Sequence, residues 1–391
     1  MHRRRRPHAL PLRPPRRRRH LDDHQQCASW TFHSTTCTLL GRMVERSAGP
    51  PSSAATAPTP SPDGQPTLAA RLTDQGFHTG ICSAMGWMSA EWNNRQGYRE
   101  SIGAASLDAL PLAENALGAF AQQLQPGERW FLHLHFTEPR APYAPPTPTS
   151  ATSPGCPPSF DLSDHDQHYE ADDAWPDLGP ADQANLEQHL RLRYTAETRW
   201  LDDQLRTLFA ELDAGGWLDD TLVVVWTDHG EQFWEHGEQT HAWTLNAQEN
   251  DAILAFWRRG GAPLHWTGPT HAVDLVPTVL SMLGLPVDPD LPGFVVGEAP
   301  ADRIRVSTSM ARQGPQVAAT GNGYKLVYDF DGGLFLWDRP GDRADAEPLP
   351  MAQWDTDAVR PLWQAIGPMA DLLQAAGPEF PRVPPALPPG L

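Results

Sequence analysis

An apolar run, Thr221-Leu-Val-Val-Val-Trp-Thr, gives way abruptly to Asp228-His229-Gly230-Glu231. A carboxylate beside a neutral imidazole supplies a hard oxygen and a borderline nitrogen, half of a site for a divalent cation. In open α/β sheets, ligands gather outside the carboxyl ends of the strands, which is where such a turn would stand. Taken alone, Asp-His-Gly is equally well a polar turn after a strand. Glu235-His236-Gly237 and His241 follow within one loop's reach. So many donors after one hydrophobic strand argue for chemistry.

Several elements must position these groups. Pro66 to Gln75 reads as a helix with proline in its first turn and Gly76 as its stop, followed by a strand from Phe77 to Ser83. A second helix is expected over Ala105 to Leu124, and the bulky alternation of Trp130 to Phe136 predicts a strand. Leu186, Leu190, Tyr194, Leu201, Leu205, Leu208 and Leu212 recur at helical spacing until Gly215-Gly216 ends the run. That helix feeds the Leu222 to Trp226 strand, a crossover of the kind that builds parallel sheets. Ile253 to Trp257 is another expected strand, and His271 to Leu283 another helix. Beyond Arg303 the pattern changes to short strands, with Asp331-Gly332-Gly333 as a hairpin turn.

Charge and composition narrow the classes. Residues 1–19 carry nine Arg and no acid, which leaves 21 basic against 48 acidic side chains in the rest of the 391-residue chain. A surface that acidic repels nucleic acid, and the basic block has no interleaved aromatics to stack bases. No apolar run approaches the roughly 18 residues that span a bilayer. The Arg block lacks a secretory signal's apolar stretch, so a cytoplasmic setting is the default. Four Cys (27, 37, 82 and 156) show no metal-type spacing and call for no disulfide framework.

Six blocks in order carry a resemblance. They are Pro66-Thr-Leu-Ala-Ala-Arg-Leu-Thr-Asp-Gln-Gly76; Phe131 to Pro146, with Glu138-Pro139-Arg140-Ala-Pro142-Tyr143; Tyr194 to Leu205; Asp228-His229-Gly230-Glu231; Asp274 to Pro286; and Gly323-Tyr-Lys-Leu-Val-Tyr328. Together they resemble the sulfatase branch of the alkaline-phosphatase superfamily. The resemblance implies an α/β fold: a mixed, mostly parallel, alkaline-phosphatase-like sheet flanked by helices, with a small C-terminal antiparallel subdomain. It divides the chain into a basic disordered leader (1–26), a sulfatase-like core (27–300) holding a linker (47–65) and an irregular insertion (147–182), the antiparallel subdomain (301–345), and a helix with a Pro-rich tail (346–391).

The same resemblance implies a metal-dependent hydrolase of sulfate esters, or of chemically similar phosphate esters. The partner would be a small anionic ester, and the cofactor a divalent ion (Ca, Mg, Mn or Zn) held by Asp228 and His229. Trp30-Thr31-Phe32-His33-Ser34-Thr35, leading to Leu39-Leu40-Gly41, matches the nucleophile motif with Thr31 as the attacking residue. Locally, Thr31 is equally a helix cap. His33 and Thr35 depart from the motif's Pro and basic residue, and no Cys begins a Cys-x-Pro-x-Arg sequence, so a formylglycine mechanism is disfavoured. Arg140 stands where relatives place an anion-touching His, and its guanidinium would suit a sulfate or phosphate. His241 stands where a residue approaches the leaving group, and would serve as general acid. His133 and His135 read as strand residues, and Asp202-Asp203 as a solvated helix pair.

Relatives begin with an apolar strand ending in an Asp that completes the metal cage, and residues 1–26 show no such strand. Asp22-Asp23, the nearest acidic pair, follows arginines. Either the chain is truncated at its start or its metal site is incomplete. Two further readings stay open: a phosphodiesterase or phosphotransferase with a threonine nucleophile, and an inactive sulfatase-like binding protein.

Overall fold

Polar residues open the described chain. In the computed structural model, which describes residues 23–44, 65–104, 106–144, 165–261, 266, 268–311, 314–376 and 382–391, strand β1 (His24–Gln25) is buried and pairs in parallel with β9 (Thr270–His271). Side chains replace the hydrophobic signature here. His24 Nδ1 meets Thr270 Oγ1 at 3.1 Å, Gln25 Nε2 donates to Asp251, and Gln26 Nε2 donates to the carbonyl of Thr227 at 2.6 Å. Residues 24–26, placed by the sequence reading at the end of the leader, are thus buried in the fold; residues 1–22 lie outside the described residues.

Helix α1 (Thr31–Leu40) is buried at all ten positions and stops at Gly41, whose φ of 70° suits a residue without a β-carbon. Cys37 on this helix is disulfide-bonded to Cys27 at the exit of β1. That corrects the expectation of no disulfide: the pairing follows from a tight strand-to-helix return that cysteine spacing does not reveal. Cys82 is a buried free thiol, and Cys156 lies outside the described residues.

Helix α2 (Leu68–Asp74), capped by the Thr67 hydroxyl accepting from Ala70 N–H, leads into β2 (His78–Ser83). Strands β3 (Glu100–Ile102) and β4 (Trp130–His135) flank β2 in parallel, with helix α3 (Ala109–Ala121) in the crossover between them. Next comes α4 (His165–Ala174), inside the stretch expected to be irregular. Its polar sequence hides a helix that contributes Ala171 to a core cluster and offers Asp172 Oδ1 to Trp234 Nε1 at 2.7 Å. The long α5 (Pro180–Ala214) starts with Pro after Gly179 and ends at Gly215-Gly216. Asp202 and Asp203 on it are exposed and paired with Arg206, as a solvated pair should be.

Strand β5 (Leu222–Trp226) follows, then β6 (Gln232–Phe233), β7 (Gln239–Thr240), the short α6 (Ala247–Asn250) and β8 (Leu254–Arg258). β5 pairs antiparallel with β8, so the Asp-His strand shares no ladder with the β3-β2-β4 sheet among the described residues. Helix α7 (Leu275–Met282) packs Leu275, Val276, Val279 and Leu280 against Leu254, Phe256, Leu68 and Leu72.

The last part is an antiparallel meander of β10 (Arg305–Ala311), β11 (Gly314–Gly321), β12 (Tyr324–Asp329) and β13 (Leu334–Asp338). Helix α8 (Thr356–Ala376) lays Val359, Leu362, Ile366 and Leu373 on Leu326, Tyr328 and Leu336, so sheet and helix share one core cluster. Lys325, the chain's only lysine, is fully buried. Its ammonium meets Asp345 at 2.7 Å; Arg339 bonds the other oxygen of Asp345 and reaches Asp251 of the core at 2.6 Å.

Candidate active site

The site is assembled from β5's exit and the first turn of α1. After Thr227 the chain turns sharply, with the Gly230 N–H donating to the carbonyl of Glu249 at 2.8 Å. A β-carbon at 230 would run into the carbonyl oxygen of Gln248, so only glycine fits the approach. This turn aims Asp228 and His229 back at α1. Thr31 Oγ1 lies 3.2 Å from His229 Nε2, and Asp228 Oδ2 lies 3.5 Å from the same nitrogen. The Thr31 hydroxyl also lies near enough to the Asp228 carboxylate to favour its charged form.

The tautomer of His229 follows from its other contact. Nδ1 is 2.7 Å from the Gly230 carbonyl oxygen, which only accepts, so Nδ1 carries a proton, and the nitrogen left to accept in the uncharged form of the ring is Nε2. The Asp228 and His229 side chains are 22% and 11% exposed. Burial alone would raise the Asp228 carboxyl, but His229, His135, His241 and the Thr31 hydroxyl outweigh it and hold the group below its ordinary range.

His241 stacks obliquely on His229, with ring centroids 4.0 Å apart. Its Nδ1 meets Glu231 Oε1 at 2.9 Å. Burial, helped by His229 and Arg140, drives its pKa down to about 4 against the pull of Glu231. The imidazole is thus neutral at pH 7, whereas a general acid must carry a proton to give. A general acid at His241, as expected from the sequence, would need the charged ring that this dry setting disfavours.

Arg140 lies half-buried in the turn after β4. Its backbone N–H donates to Glu197 Oε2 of α5 at 3.2 Å, and its guanidinium acts electrostatically on both His135 and His241. Thr31, Asp228, His229 and His241 thus adjoin one another, and the charge of Arg140 bears on His135 and His241 beside them. Three more stand beside them: His135 meets Ser83 Oγ through Nδ1 at 2.8 Å and feels Asp228 and His229; Glu231 partners His241; and burial, then the Glu231 charge, push the Tyr143 hydroxyl up. Glu231 stood in the quoted turn, but no spacing rule ties it to a histidine ten residues on. His133 instead turns to Tyr98 Oη at 2.9 Å.

A sequence model of the sulfatase family matches residues 20–285. The chain belongs to the sulfatase family. Solved structures share its fold at low identity. One, determined with its substrate D-glucosamine-2-N,6-O-disulfate, is 14% identical, with TM-score 0.68 and 92% of each chain covered. A 2-O GAG sulfatase is 16% identical, with TM-score 0.66, covering 92% of this chain and 85% of its own. The phosphonate monoester hydrolase of Silicibacter pomeroyi is 19% identical, with TM-score 0.62, covering 90% and 87%. The alkaline-phosphatase-like α/β architecture expected from the sequence is thus the observed one. No helix among the described residues of this sulfatase-family chain is long and apolar enough to cross a membrane.

Members of the family ordinarily use a divalent metal, and the donor set of this chain can be weighed against one. Among the described residues, no group of three or more His, Cys, Asp or Glu side chains is arranged to hold an ion. Asp228 and His229 are two donors. Asp23, the described member of the early acidic pair, has both carboxylate oxygens on Arg305, at 2.9 and 3.3 Å. These residues do not complete a four-ligand cage.

Proposed function

We propose that this chain hydrolyses sulfate esters, or phosphate esters of the same tetrahedral shape, with the Thr31 hydroxyl as attacking group. The contact between Thr31 Oγ1 and Nε2 of His229 carries this reading, because with the ring uncharged it places a proton acceptor on the hydroxyl before any substrate arrives. In the first step His229 takes the hydroxyl proton, Oγ1 bonds to sulfur or phosphorus, and the ester bond to the alcohol breaks. The proton held by His229 leaves with the alcohol. Asp228, kept ionised beside the ring, steadies the imidazolium in between.

Arg140 is assigned to the non-bridging oxygens, where a guanidinium offers paired donors. In the second step water attacks the threonine ester and His241, neutral at pH 7, accepts its proton. His241 then passes that proton to the Thr31 oxygen as sulfate or phosphate departs. Turnover of nitrophenyl sulfate and nitrophenyl phosphate by wild-type and Thr31→Ala protein tests the reading. Equal rates for the two proteins on both esters would sink it.

The two-donor shortfall favours one other reading, a family member that binds anionic esters without turning them over. Saturable binding of nitrophenyl sulfate, weakened by Arg140→Ala and unaccompanied by release of nitrophenol, would select it.

A further inference from the structure

Polar residues interrupt the buried stripe of α5. Its buried positions are Leu186, Leu190, Glu197, Gln204 and Leu208, which recur at helical spacing on one face. A carboxyl and an amide turned inward cost free energy unless each finds a partner. Both find backbone N–H groups of other segments. Gln204 Oε1 accepts from Leu110 N–H in the first turn of α3 at 3.1 Å, and Glu197 Oε2 accepts from Arg140 N–H at 3.2 Å.

The turn that carries Arg140 is tied at both ends as well. At its start Glu138 Oε1 accepts from Ala109 N–H of α3 at 3.0 Å. At its end Tyr143 has a left-handed φ of 47°, a conformation that a tyrosine keeps only where surrounding contacts over-determine it. Here they do: Tyr143 N–H donates to the Arg140 carbonyl at 2.8 Å, and Arg193 Nε, one turn before Glu197 on α5, donates to the Tyr143 carbonyl at 2.7 Å. Both main-chain polar groups of Arg140 are therefore engaged, the N–H by Glu197 and the carbonyl by Tyr143, while its guanidinium charge bears on His135 and His241.

We infer that Glu197 is a positioning residue that holds the Arg140 main chain from α5 and so sets where the guanidinium stands, an inference resting on the assignment of Arg140 to the ester's non-bridging oxygens. Glu197 acts through the Arg140 backbone rather than on the ester. An amide oxygen at position 197 could accept the same bond, whereas an apolar side chain could not.

The test uses full-length protein carrying Glu197→Met, which removes the acceptor at similar length, or Glu197→Gln, which keeps it. Amide hydrogen exchange over residues 138–144 reads the turn, and isothermal titration with inorganic sulfate reads the guanidinium. In Glu197→Met the exchange is expected to quicken roughly tenfold or more and the Kd for sulfate to rise roughly fivefold or more, while Glu197→Gln stays within about twofold of wild type in both. In an Arg140→Ala background Glu197→Met should change Kd by less than about twofold, because its effect runs through Arg140. Thermal melts check that each variant is folded, and Glu197→Ala takes the place of Glu197→Met if that protein does not melt cooperatively. Unchanged exchange in the variant without the acceptor overturns the inference, as does an equal rise in Kd in the Arg140→Ala background or a failure of Glu197→Gln to preserve both readouts. If Arg140→Ala leaves sulfate binding unchanged and the exchange still responds, the hold on the turn stands and the assignment of Arg140 to the anion alone fails.

Discussion

Thr31 and His229 are 198 residues apart in sequence, yet Oγ1 of one lies 3.2 Å from Nε2 of the other. Removing that hydroxyl should abolish the proposed chemistry. Thr31→Ala is expected to lower kcat by roughly 10³-fold or more, and Thr31→Ser to retain most activity, since serine keeps the oxygen. Steady-state rates on nitrophenyl sulfate and phosphate decide it.

Arg140 should act on binding as well as on rate. A charge-assisted hydrogen bond is worth about 1.5–3 kcal/mol, so Arg140→Ala should raise KM or Ki for inorganic sulfate by roughly ten- to a hundredfold. Lysine keeps the charge but loses the paired donors, and Arg140→Lys should fall between. Isothermal titration with sulfate and with phosphate reads both variants.

Stability should peak near pH 6.5. Burial lowers His24 and His133 to about 3 and His33 to about 4, against 6.5 in the unfolded chain. Between those values the unfolded state binds more protons, so the stability these neutral rings lend is present above pH 6.5 and is lost as pH falls toward 3. Glu249 acts in the opposite sense. Burial raises it to about 8, although Gln232, Trp243 and Thr244 all donate to it, so its contribution is full below about 4.5 and is lost as pH rises through 8. Thermal melts across pH 4–9 should show both arms, and Glu249→Gln should reduce the alkaline one, which Glu197 and Asp172, both raised to about 7, also feed.

Two protein donors should grip a divalent ion weakly. After dialysis against chelator and return to micromolar zinc or manganese, elemental analysis is expected to find well under one ion per chain, and Asp228→Ala less still. Stoichiometric, chelator-resistant metal would show that further ligands complete the site.

The buried cation in β12 offers a test of packing. Asp345→Ala leaves Lys325 and one arm of Arg339 without their carboxylate and should destabilise by about 3–5 kcal/mol, whereas replacing Lys325 by Met together with Asp345 by Leu should cost less. Denaturant melts of the single and double variants separate the two costs.

Hydrophobic spacing made most of the core legible. The β5 boundaries came directly from the Leu-Val-Val-Val-Trp run, and the end of α5 from Gly215-Gly216, because burial on one face and a left-handed stop both leave marks in sequence. β1 and α4 left none. His24, Gln25 and Gln26 are buried through hydrogen bonds to distant partners, and α4 is polar along much of its length. The five proposed site residues were legible only through an ordered set of motifs; nothing local distinguished Thr31 from a helix cap. What sequence could not supply was the second layer. Tyr143 reaches the site from a turn with φ 47° that a tyrosine does not announce, while Glu231 and His135 arrive through tertiary folding of the β5 turn and the end of β4. The protonation state of His241 likewise depends on how dry its surroundings are.

With its sole ammonium side chain sealed beneath the meander, the native fold offers acylating reagents such as succinimidyl esters no lysine to label. Apart from the terminal amine, labelling at Lys325 requires the β-meander to open, so the appearance of a second acylated site in mass spectrometry would clock that opening.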